Sequence, residues 1–189
     1  ELGSQVGLCR PDGLRSLAAP FVAELFRETA HAVHLAVLDG PDVLYIEKVH
    51  GHATPRVPTT IGGRMPASCT ALGKAMLPFG HDDAARKILA RGLARKTRRS
   101  VVAPGLFLSE LRRIRESGVA YDREESALGL TCVAAPVRYR GTAIAAVSIS
   151  GPTSRLDPEK AAARVLRTAG HISALYAKRQ PDHHEAAIA

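Results

Sequence analysis

"VAYDREESALGLTCVAAPVRYRGTAIAAVSISGP", residues 119–152, decides the fold. Two long apolar runs, "CVAAPV" and "AIAAVSI", flank Arg140-Gly141, a dipeptide suited to a tight turn between antiparallel strands. The runs are nearly continuous, which predicts central strands buried on both faces. A short strand and a loop precede them, with the charge run Asp122–Glu125 ("DREE") read as a solvated turn. Ser148 and Ser150 sit two apart, so in a strand they share a face. Hydroxyls on a buried face need partners, either neighbouring backbone or a ligand.

Toward the C-terminus, Asp157 is placed to cap a helix running to about Lys178, with Ala161, Val165, Ala169, Ile172 and Leu175 or Tyr176 inward. The tail "RQPDHHEAAIA" reads as loose. Toward the N-terminus, "GLFLSELRRIRESG" is a helix with Leu108, Leu111 and Ile114 on one face and Gly118 as its stop. Asp82–Arg91 is another, capped near His81 or Asp82. "AVHLAVLDGPDVLYIEKVHG" alternates about a turn at Asp39-Gly40 and reads as a hairpin, and "TPRVPTTIG" as an added edge strand. Helical spacing of Leu14, Leu17, Ala18, Phe21, Val22, Leu25 and Phe26 gives a helix over Gly13–Ala30, with Asp12 as N-cap and a kink or break at Pro20. Strands and helices come in blocks, which predicts an α+β domain on an antiparallel sheet.

In "GGRMPASCTALGKAMLPFG", residues 62–80, a glycine pair leads to Ser68, Cys69 and Thr70 and then a helix, Cys69–Leu77. These small side chains either cap the helix or leave its first N–H groups free for a small anion.

Composition narrows the function classes. The 189 residues carry a net charge of +8, and seven of the cations lie between Arg86 and Arg99. That cluster reads as a solvated helix face and loop, since aromatic residues are only 4% and offer no base-stacking surface. Cys9, Cys69 and Cys132 are odd in number and lack CxxC spacing, which fits a reducing cytoplasm better than a disulfide framework or zinc ribbon. No apolar run approaches a membrane span. The chain begins at Glu1 and reads as a fragment of a longer protein. No GxGxxG, Walker, HExxH or GxSxG pattern occurs, and no cofactor is expected. His50-Gly51-His52 reads as surface histidines on a strand end rather than half a metal site. Cys69 or Cys132 acting as a nucleophile on a small carboxylate is the alternative reading; no base with a telling spacing accompanies either thiol.

Four stretches together, "VLYIEKV", "GGRMPASCTALGKAML", "GVAYDREESALGLTCVAAPV" and "AIAAVSISGPTSRL", resemble the effector-binding domain of IclR-type transcriptional regulators, in that family's order and spacing. The resemblance covers Leu14–Lys178 and implies a GAF-like domain that binds a small metabolite. It also implies a linker and linker helix over residues 1–30, the effector domain over 31–180 and a flexible tail over 181–189. Nothing here matches the family's winged helix-turn-helix, so DNA contact is expected only through that missing N-terminal domain. Implied partners are a small-molecule carboxylate effector and a second copy of the chain, as dimer or tetramer, with no membrane. Carried over position by position, the implied ligand residues are Met65 as an apolar lid, the N–H groups of Ala71 and Leu72, Asp122, Cys132, and the hydroxyls of Ser148 and Ser150. Asp122 is expected to select a hydroxyl or hydrated keto group beside the ligand carboxylate. Where many relatives carry Leu and His, this chain has Ala67 and Ser68, which is expected to widen the pocket mouth.

Overall fold

A computed structural model describes residues 11–51, 59–80 and 83–180. Helix α1 (Pro11–Thr29) leads into strands β1 (Ala32–Asp39), β2 (Asp42–Val49) and β3 (Arg64–Pro66). Three helices follow, α2 (Ala71–Met76), α3 (Ala84–Arg91) and α4 (Pro104–Ser117). Strands β4 (Ala120–Arg123), β5 (Leu130–Tyr139) and β6 (Thr142–Pro152) and helix α5 (Pro158–Arg179) complete the chain. The strands form one antiparallel sheet in the order β3-β2-β1-β6-β5-β4, so the architecture is α+β, as expected.

The longest strands, β5 and β6, lie inside the sheet and are buried over most of their length on both faces. Their hairpin turns at Arg140 and Gly141, both with positive φ (50° and 84°), the geometry of a two-residue turn. On one face, Val133, Ala135, Val147 and Ile149 pack with α1 and α5. On the other, Cys132, Ala134 and Ala146 pack beneath α2 and α4. The period-2 alternation of β5 and β6 thus feeds two separate cores.

Helix ends follow local chemistry. The Asp157 side chain accepts hydrogen bonds from the N–H groups of Glu159 and Lys160 and starts α5. Gly118, left-handed at φ 74°, ends α4 by donating its N–H to the Ile114 carbonyl. Tyr176 rather than Leu175 is the fully buried member of the last turn of α5.

Four expectations change. Pro20 does not break α1, which runs unbroken from Pro11, so Asp12 lies in the first turn instead of capping it. On α4 the buried residues are Phe107, Leu111 and Ile114; Leu108 is exposed. Phe107 lies four residues before Leu111 and seven before Ile114, so it shares their face of the helix. The strand expected over 54–62 falls largely outside the described residues, and the described part, Thr59–Gly62, is not a strand. Arg64–Pro66 pairs with β2 instead. The helix expected over Cys69–Leu77 is shorter, Ala71–Met76, between single 3-10 turns at Ala67–Cys69 and Leu77–Phe79. Residues 1–10, His81, Asp82 and the 181–189 tail, with the linker, cap and tail readings placed there, lie outside the described residues.

Candidate functional site

The α2 face of the sheet carries an unusual number of buried polar groups. In register across it, Asp122 of β4 pairs with Cys132 of β5, and Cys132 with Ser150 of β6. The parallel row joins Ala134 to Ser148 of β6, Ser148 to His34 of β1, and His34 to Lys48 of β2. Helix α2 lies over these rows. One cavity opens between helix and sheet, with about 410 Å³ of empty volume, its open side included. Met65, Ala71, Leu72, Asp122, Cys132, Ser148 and Ser150, all anticipated from the sequence, border it together. His34, Tyr45, Thr59, Thr70, Ser126, Ala127 and Leu130 complete the wall and were not anticipated. The signal for His34 was present: in "AVHLAV" it falls on the opposite face from Val33 and Leu35.

The start of α2 has a plain local cause. Thr70 is extended, and its hydroxyl accepts from the Gly73 N–H, so Thr70 is the N-cap. The main-chain ladder begins at the Lys74 N–H bonded to the Thr70 carbonyl. The N–H groups of Ala71 and Leu72 therefore precede the first intrahelical bond, beside the cavity. Ser68 and Cys69 are not caps. Ser68 Oγ accepts from the Ala94 N–H at 3.3 Å, and the Cys69 thiol faces the Pro66 carbonyl at 3.7 Å. Ala67 and Ser68 are buried under α2 and do not border the cavity, so they do not widen its mouth. The close approach here falls on Gly73, where an added Cβ would meet the Ala67 backbone at 2.3 Å.

Asp122 is buried, not part of a solvated turn. Its Oδ1 accepts from the N–H groups of Glu125 (2.7 Å) and Ser126 (3.3 Å), and its Oδ2 from the Ser126 hydroxyl. The carboxylate thus folds its own loop. Burial pushes its pKa up from the ordinary range, against the pull of these bonds and of Lys74.

Behind the cavity lies an ion cluster not anticipated from the sequence. Lys74 of α2 is fully buried, with Nζ 2.5 Å from Glu125 and 2.7 Å from Glu110. Burial alone would strip its proton; the two carboxylates outweigh that and hold it charged. Glu125 is tied again through its carbonyl to the Ser100 hydroxyl.

Thiol chemistry finds little support. Cys69 and Cys132 are both buried and free. Burial, then Asp122 and Glu125, pushes the Cys69 thiol up to about 12. Burial and Asp122 likewise raise Cys132. Neither is a thiolate near neutral pH. Among the described residues no group of three or more His, Cys, Asp or Glu is placed to hold a metal ion, and no helix is long and apolar enough to cross a membrane.

Residues 10–174 match the family model described as the bacterial transcriptional regulator IclR C-terminal domain. The chain is 37% identical over 163 residues to the HTH-type transcriptional regulator KdgR of Escherichia coli K12, covering 85% of this chain and 61% of that protein. It is 33% identical to the HTH-type transcriptional repressor AllR of the same organism, covering 77% of this chain and 54% of AllR. It therefore spans little more than half of these relatives. Among solved structures it resembles the C-terminal domain of E. coli KdgR, with TM-score 0.76 and 34% identity over 87% of this chain and 98% of that one. It also shares its fold with an IclR homologue from Microbacterium hydrocarbonoxydans solved with 4-hydroxybenzoate, with TM-score 0.85 and 22% identity over 91% of this chain and 71% of that one. The buried polar row under α2 thus sits in a known regulatory architecture: the chain belongs to the IclR family of bacterial transcriptional regulators, as their C-terminal domain.

Proposed function

We propose that this domain senses a small carboxylate effector in the cavity beneath α2, and that binding alters operator affinity of the whole regulator. The observation that carries the reading is the Ser148 hydroxyl. It is buried, borders the cavity and has no hydrogen-bond partner among the described residues. A buried hydroxyl without a partner is costly to keep unless a ligand completes it. The carboxylate end of the effector lies against the N–H groups of Ala71 and Leu72, with Ser150 and Cys132 below and Met65 covering the apolar side. Asp122 holds the loop that brings Ser126 to the cavity wall. The 4-hydroxybenzoate bound by the Microbacterium homologue supports a carboxylate as the ligand class.

DNA is read by a winged helix-turn-helix domain outside these residues, and the effector shifts the balance between two arrangements of a dimer or tetramer. The domain itself is not an enzyme; its protonated, buried thiols support this over the alternative of a cysteine-dependent enzyme. The protein acts in the cytoplasm.

A thermal-shift screen of carboxylic acids against their own primary amides tests the reading. Acids are expected to raise the melting temperature and amides not. Equal shifts within every pair, or consumption of a bound acid, would overturn it. Light scattering with and without a hit tests the oligomer.

A further inference from the structure

Among the described residues, His34 is the one histidine sealed inside this site. It is 1% exposed, and its Nε2 lies 2.9 Å from the Thr59 hydroxyl. Its Nδ1 is buried with no partner among the described residues. Its register neighbour on β6 is Ser148, whose hydroxyl is in the same state. Both side chains border the cavity. Two unpaired polar atoms, adjacent on neighbouring strands and facing one cavity, are unusual in a folded protein.

We propose that His34 and Ser148 form a hydroxyl-reading subsite, so that the effector is a carboxylic acid carrying a hydroxyl remote from its carboxylate. This rests on the carboxylate reading given above. One hydroxyl completes both orphans. If Nε2–H donates to Thr59, the ligand hydroxyl donates to Nδ1 and accepts from Ser148. If Thr59 donates to Nε2, the ligand accepts from Nδ1–H and donates to Ser148. A carbonyl serves only the second arrangement, because it cannot donate. A second carboxylate is disfavoured because the imidazole is neutral: burial, then Lys48 and His50, lowers its pKa to about 3.

Position sets the length of the ligand. Ser148 lies two residues from Ser150 along β6, roughly 6.5 Å in an extended strand. A hydroxyl on the carbon next to the carboxylate does not span that distance. One about four carbons away, or across a ring, does. The same geometry moves hydroxyl selection away from Asp122, whose oxygens already accept from its own loop.

Calorimetry tests this with 4-hydroxybutyrate against butyrate, 4-hydroxybenzoate against benzoate, and lactate against propionate. Phenol and 1-butanol serve as probes without a carboxylate. In the wild type, at least one remote-hydroxyl acid is expected to bind roughly tenfold tighter than its deoxy partner, with no such gap for lactate. Ser148→Ala and His34→Phe are expected to close the gap to about twofold. In the unmodified protein, the Nδ1 resonance of His34 should move with the hydroxy acid and not with its partner, which keeps the test valid if a variant fails to fold. Equal affinities within both long pairs, a gap that survives both variants, or a still Nδ1 resonance would overturn the subsite. If an alcohol binds in a Ser148-dependent way and no acid binds, the subsite stands and the carboxylate reading falls. If no probe binds the wild type at millimolar concentration, both fall.

Discussion

The two faces of the sheet are built from the same strands and have opposite contents. Against α1 and α5, β5 and β6 present Val133, Ala135, Val147 and Ile149 to an apolar core. Against α2, alternate positions of the same strands present Cys132, Ser148 and Ser150, with His34, Asp122, Lys74 and Glu125 buried around them. The first face is packing that excludes water. The second accepts unpaired polar atoms and a buried ion cluster, which a core built only for stability would avoid. The difference separates scaffold from site by a single residue of register.

The contrast is broken most severely at Lys74. Replacing it by Met leaves Glu125 buried without its cation, an expected loss of about 3–5 kcal/mol in urea denaturation. Adding Glu125→Gln should recover part of that; if it recovers nothing, Lys74 acts through packing alone. On the opposite face, Ile172→Ala should cost about 2–5 kcal/mol, since Ile172 is fully buried in the α5 core. Ligand affinity should not change. A parallel loss of affinity would mean that the two faces are not separable.

A pH titration sharpens the comparison. Burial, Lys48 and His50 lower His34 from 6.5 to about 3. As pH falls the unfolded chain takes that proton first, so the stability tied to the neutral ring is complete above pH 6.5 and drains toward pH 3. Its slope is about 1.4 kcal/mol per pH unit. Asp122 and Glu125, both raised chiefly by burial, take protons in the folded state and oppose this. The difference between wild type and His34→Gln isolates the histidine; a difference that stays flat from pH 7 to pH 4 contradicts its buried neutral state. The smallest effect is expected for Ser148→Ala without ligand. Removing an unpaired buried hydroxyl should be neutral or slightly stabilising, within about 0.5 kcal/mol. A clear loss of stability would show that Ser148 is a structural hydroxyl.

Much of this was readable from local pattern. The β5–β6 hairpin, the Asp157 cap, the Gly118 stop and the paired serines follow from spacing and turn chemistry. What stayed hidden depends on distance along the chain. Lys74 looks like any helix lysine, because its partners Glu110 and Glu125 lie 36 and 51 residues away. Asp122 read as solvated because nothing local shows that α2 covers the loop. His34 fell on the polar side of an alternating strand, which on an open sheet faces water. The edge strand was misplaced because Pro66 sits at the end of a pairing segment too short to show alternation.

The order of the sheet has one further consequence. Among the described residues its rims are the three-residue β3, ending in Pro66, and the four-residue β4, while the strands of eight residues and more lie inside. Rim strands this short give another chain little length of their own to pair with, one device by which sheets discourage strand addition. In a sheet rich in Val and Ile, short rims of this kind guard against fibrous aggregation.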